Sequence, residues 1–111
     1  MSLVEAYAGE IRLMTNRFAP RGWALCDGRL LRAEEYPVLF ALLGASYGGD
    51  GVITFALPDL RGRLPVGADA DRVPGTFSAS ASVASGQDVQ TQPTLAVNYI
   101  ICLHGIYPDQ S

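Results

Sequence analysis

The stretch "TFALPDLRGRLPVG", Thr54 to Gly67, constrains this chain more than any other. Pro58, Gly62, Pro65 and Gly67 fix or free the backbone at such short intervals that no regular helix or long strand fits between them. Asp59 has the side chain of an Asx-type turn. Arg61 and Arg63 lie two apart, so in an extended segment they point to the same side, and one of them is placed to pair bidentately with Asp59 or Asp27. The physical expectation is a rigid connector, and the functional alternative is an arginine pair for an anionic ligand.

The rest of the chain supports a small fold that is α+β and mainly β. At 111 residues it is expected to form one domain, residues 1–111, with a single modest core. "EIRLM" alternates like a strand. "WALC", Asp27-Gly28 and "RLL" read as two strands joined by a tight hairpin, with Trp23 expected to anchor the core. From about residue 34 to 43 the period becomes helical. Tyr36, Leu39, Phe40 and Leu43 form an apolar stripe behind Glu34 and Glu35, Pro37 is tolerated in the first turn, and Gly44 stops the helix. "TLAVNYIICLHGIYP" reads as a long, central, buried C-terminal strand. Between these, residues 68–93 are rich in Ala, Ser and Gly and cannot build a core of their own. Within them, "FSASASVAS" is either a flexible loop or a flat strand that another chain can approach closely.

Composition excludes several function classes. Net charge is −3, so phosphate-driven nucleic-acid binding is not expected. There is no Lys, hence no Schiff-base chemistry. All eight Arg lie at or before Arg72, leaving a C-terminal third that is nearly uncharged and suited to burial against a partner. No apolar run approaches the roughly 18 residues of a membrane span. The acidic N-terminus lacks the order of a signal peptide, so export is expected to need a specialised route or cell lysis.

The inventory for catalysis is thin. His104 is the only histidine, and although it shares strand parity with Cys102, no oxyanion hole or orienting group accompanies the pair. Glu34–Glu35 and Asp69–Asp71 are explained by a helix start and a polar loop. "SYGGDG" lacks phosphate-loop spacing and has too few oxygen ligands for calcium. No catalytic residue, cofactor or metal is expected. Cys26 and Cys102 read as two buried thiols, or as a disulfide if their Cα atoms come within about 7 Å.

The segments "GEIRLMTNRFAPRGWALCDGRLL", "YPVLFALLGASYGGDGVITFALPDLRGRLPVG" and "LAVNYIICLHGIYP" closely resemble the phage tail collar domain family, including its microcystin-dependent protein branch. The resemblance covers residues 9–67 and 94–108. It implies a structural, oligomeric part of a phage tail fibre or a tail-derived appendage, without catalytic activity. It also implies that Trp23, Asp27, Gly28, Pro58, Asp59, Arg61, Gly62 and Arg63 form a structural signature. Longer members carry a large variable region with an "HSH"-type motif, which here is reduced to the histidine-free residues 68–93. The expected partners are copies of itself and other tail proteins, on a virion tail or bacterial surface. Two functions follow: self-assembly through strand contacts, or recognition of a cell-surface glycan through Tyr47, Arg61 and Arg63.

Overall fold

The computed structural model describes residues 6–77 and 93–109. Its elements are β1 (Ile11–Met14), β2 (Trp23–Leu25), β3 (Leu30–Arg32), α1 (Pro37–Leu43), β4 (Thr54–Ala56) and β5 (Asn98–Cys102). They form one three-stranded sheet in the order β1-β5-β2 and one two-stranded sheet of β3 and β4. The three strand pairings are antiparallel. The fold is α+β and mainly β, as the periodicities predict.

The C-terminal strand is central, but it is five residues long rather than spanning the whole apolar run. Its neighbours set that length. β1 offers four partners and β2 offers three, and beyond Cys102 the chain makes only separate backbone contacts, Leu103 N–H to the Gly22 carbonyl and the Tyr7–Ile106 bridge. Ile100, Ile101 and Cys102 are nevertheless all buried, which confirms the reading of a strand covered on both faces. On one face Ile101 pairs with Ala24 and joins Cys26, Leu39, Phe55 and Leu57 in the main core. Each large side chain buried there stabilises by roughly 1.5–3 kcal/mol relative to exposure. On the other face Cys102 stands opposite Trp23, and Ile100 opposite Arg12 and Leu25.

Trp23 is therefore not the anchor of the main core. Successive residues of a strand point to opposite faces, and the neighbouring Ala24 takes the core side. Trp23 is half-buried, with the Arg12 guanidinium 5.0 Å from its ring centroid. Arg12 is held in turn by Glu10 at 2.9 Å.

The helix begins at Pro37, three residues later than its sequence pattern predicts. The residue before a proline is disfavoured in the α region, and Tyr36 takes φ −135° and ψ 62°. Glu34 and Glu35 consequently lie in the preceding turn. Leu39 is fully buried, and Phe40 packs on Phe55 at 5.4 Å between ring centroids. Gly44 ends the helix with its N–H donating to the Phe40 carbonyl.

The largest departure concerns Asp27-Gly28, which does not close a hairpin. β2 pairs with β5, whereas β3 pairs with β4, so the dipeptide carries the chain from one sheet to the other. A two-residue hairpin of type I′ needs positive φ at both central residues, and only Gly28 has it, at 78°.

The two ends of the described chain are tied together. Ala8 N–H donates to the Ile106 carbonyl, Ile106 N–H to Ala6, and Gly9 N–H to Cys102, at 2.9 to 3.0 Å. Gly105 is the residue that permits this approach. A Cβ there would lie 2.4 Å from the Ala6 carbonyl oxygen.

Candidate functional site

Seven of the eight predicted signature residues, Asp27, Gly28, Pro58, Asp59, Arg61, Gly62 and Arg63, come together where the two sheets meet, while Trp23 stands apart on β2 against Arg12. Asp27 and Asp59 form an isolated antiparallel bridge. Around it Gly28 N–H donates to the Pro58 carbonyl at 3.3 Å, and Leu60 N–H to the Cys26 carbonyl at 2.9 Å. Residues directly opposite across such a bridge share a face, so the two carboxylates emerge on the same side.

Each carboxylate is then clamped by the arginine two residues on. Arg29 donates from Nε and an Nη to the two oxygens of Asp27, at 3.0 and 2.8 Å. Arg61 repeats the arrangement on Asp59, at 2.9 Å for both bonds. In both cases the carboxylate also accepts the arginine's own backbone N–H at 3.2 Å. The site is thus a pair of Asp-x-Arg clamps set back to back. The sequence places one of Arg61 and Arg63 to pair with Asp59 or Asp27, and the structure selects Arg61 with Asp59. The first clamp was missed, although the repeated spacing in "DGR" and "DLR" is visible in the sequence.

Gly28 lies between the two clamps, where a Cβ would meet the Cβ of Asp59 at 3.2 Å. On the other side the chain reverses. Arg63 N–H donates to the Leu60 carbonyl, and Gly62 has φ 66° at the third turn position, as a type II turn requires. The reversal brings the Arg63 side chain back onto the Asp59 carbonyl at 3.0 Å. Its guanidinium also lies 3.9 Å from the centroid of Phe77. Arg61 and Arg63 therefore serve one residue, Asp59, through its carboxylate and its carbonyl. Tyr47, expected at the surface, is half-buried.

The electrostatics follow from these contacts. The hydrogen bonds from Arg61 hold the Asp59 carboxyl well below the usual carboxylate range, and Asp27 is lowered in the same way by Arg29. Both arginines are correspondingly harder to deprotonate. Cys26, just before the first clamp, is pushed up to about 12 by burial and by the adjacent Asp27 charge. Burial raises Cys102 as well.

The two cysteines are free, so the disulfide alternative is corrected. Cys102 stands opposite Trp23, while the Cys26 N–H bonds to the carbonyl of Tyr99, three residues along β5. That offset is roughly 10 Å of strand, beyond disulfide reach.

Asp50 shows the same use of a carboxylate. One of its oxygens accepts the N–H groups of Val52, Ile53 and Thr54 at 2.8 to 2.9 Å. These bonds draw its pKa down to about 2. They organise the glycine loop, where Gly49 crosses the backbone of Phe55 too closely for any Cβ.

A groove of about 180 Å³ opens beside the clamps between Leu25, Asp27, Arg61, Asn98 and Tyr99. It is smaller than the roughly 300–1,000 Å³ of ordinary small-molecule sites. His104 is exposed and stacks on Tyr36 at 5.2 Å. Among the described residues no three His, Cys, Asp or Glu side chains are grouped to hold a metal ion. Within the same residues, no helix is long and apolar enough to cross a membrane.

Comparison with known proteins agrees with this architecture. The model of the phage tail collar domain matches residues 9–65, which contain both clamps, the helix and strands β1 to β4. The chain is also similar to protein RhiB of Rhizobium leguminosarum bv. viciae, with 46% identity over 65 residues. The match covers 50% of this chain and only 30% of RhiB.

Proposed function

This chain belongs to the phage tail collar domain family, and we propose that it is a non-enzymatic structural subunit of a phage tail fibre or phage-derived appendage, self-assembling through β-strand contacts. The family supports a tail-related structural role. The observation that carries the reading to this chain is how the charged groups of the matched region are used. Asp27, Arg29, Asp59, Arg61 and Asp50 all bind one another or nearby backbone. Their bonding capacity goes into fixing the loops on either side of the bridge between the two sheets, which is what a framework requires.

Strand contacts between copies need an unpaired edge. β1 lies at one edge of the three-stranded sheet, with Leu13 60% exposed. Such an edge offers backbone donors and acceptors to an added strand. In the N-terminal segment, Ala6 and Ala8 are buried and bonded within their own chain. Any donation is therefore assigned to residues 1–5 or to the "FSASASVAS" segment, which lies almost wholly outside the described residues.

Negative-stain electron microscopy with light scattering tests the proposal. Fibres or discrete oligomers are expected from the purified chain, and a monomer at all concentrations refutes self-assembly. A deletion of residues 1–5, which spares Ala6 and Ala8, then tests the donor. Loss of assembly identifies it, and unchanged assembly transfers the role to the Ser/Ala segment.

A further inference from the structure

Beyond the clamps the chain changes character. Every residue from Arg61 to Phe77 is exposed. Leu64 is 80% exposed, Val66 65% and Val73 60%. Isolated apolar residues at a surface need no explanation, but several within one short loop do.

This loop is nevertheless fastened at both ends. It leaves through the turn held by Asp59, Arg61 and Gly62, and it returns where the Phe77 ring lies under the Arg63 guanidinium. Gly75 is set against Ser46, with room for no Cβ. Midway, Asp69 accepts the N–H groups of Asp71 and Arg72 at 3.0 and 2.8 Å and makes a local turn. Among the described residues, Leu64 to Ala68 make no backbone hydrogen bond. The loop is thus tied in position while its apolar side chains are exposed.

We infer that the loop 63–77 is the surface by which this chain meets a second copy of itself. The inference rests on the self-assembly proposed above and names the surface for it. Two observations select a second copy as the occupant. The charged residues of the loop are Arg63 and Arg72 against Asp69 and Asp71, so it is neutral overall and copies of it meet without net repulsion. With Phe77, 57% exposed, the loop's Leu64, Val66 and Val73 offer on the order of 300 Å² of apolar side chain. That is more than half of the roughly 500 Å² of apolar area on one side of a standard interface, and Pro65, Pro74 and the small residues add to it.

The test is the mass of the full chain by light scattering across a wide concentration range. The double variant Leu64→Ser with Val66→Ser is compared with a control, Val52→Ser with Ile53→Ser, whose side chains are 74% and 60% exposed on the glycine loop. All four positions lie outside the core, and unchanged circular dichroism verifies folding. The loop variant is expected to weaken assembly about tenfold or more, and the control to leave it intact. Assembly unaffected by the loop variant, or weakened equally by the control, overturns the inference while self-assembly stands. A wild-type chain that is monomeric throughout overturns both, and directs the loop toward a different tail protein.

Discussion

The two Asp-x-Arg clamps use the same chemistry and differ in the residue between the charges. In the first that residue is Gly28, at positive φ and against the side chain of Asp59. In the second it is Leu60, which packs against the main core. The first clamp lets the backbone pass from one sheet to the next, and the second pins a loop to the hydrophobic interior. Exposed ion pairs contribute little by themselves, and the arginine side chains here are 46% and 70% exposed. The clamps therefore orient the chain, while the middle residues decide most of the stability.

If that division holds, Gly28→Ala has the largest effect. It imposes a side chain at positive φ and drives a Cβ onto Asp59, so chemical denaturation should show a loss of about 2 kcal/mol or more. Leu60→Ala comes next, at about 1.5 kcal/mol for a partly buried leucine, measured in the same way. A reversed order would mean that the core, rather than the sheet-to-sheet passage, limits stability.

A subtler contrast lies in acid. Both carboxyls have lowered folded-state pKa values, so each contributes stability that is complete above the unfolded value of about 3.9 and is lost as pH falls toward the folded one. Asp59 is lowered further than Asp27. Asp59→Asn should therefore flatten the acid limb of a stability–pH profile below about pH 4 more than Asp27→Asn. Equal flattening would make the clamps electrostatically equivalent.

The smallest effect is a local one. Cys26 abuts the first clamp and is buried with its pKa near 12, so it should resist a thiol reagent in the native protein at neutral pH. Faster labelling of Cys26 is expected in Gly28→Ala than in Leu60→Ala, read by mass spectrometry with Cys102 as the internal reference.

What the sequence made legible were features with local causes. Pro37 and Gly44 mark the helix because each restricts or frees its own backbone. The apolar run around Ile100 and Ile101 marks a buried strand because burial demands it. The Asp27-Gly28 signal misled because it reports backbone freedom and not the next strand's partner. β3 finds β4 more than twenty residues away. The length of β5 was hidden for a similar reason, since β1 and β2 set it. Trp23 faced away from the core because pleat alternation gave that side to Ala24. The twin clamp needed Asp27 and Asp59 to be bridged, a fact of tertiary structure, before two ordinary tripeptides could be seen as one device.

The fastening of Ala6–Gly9 to Cys102–Ile106 has a consequence for how such a body is built into larger molecules. The described chain enters and leaves through one doorway, like a bead on a looped thread. A host polypeptide can carry such a bead at an end or in its interior with little change to its own path, since only a single short gap has to be spanned. The same body can then be moved, trimmed around or repeated along a longer chain without reopening its two sheets.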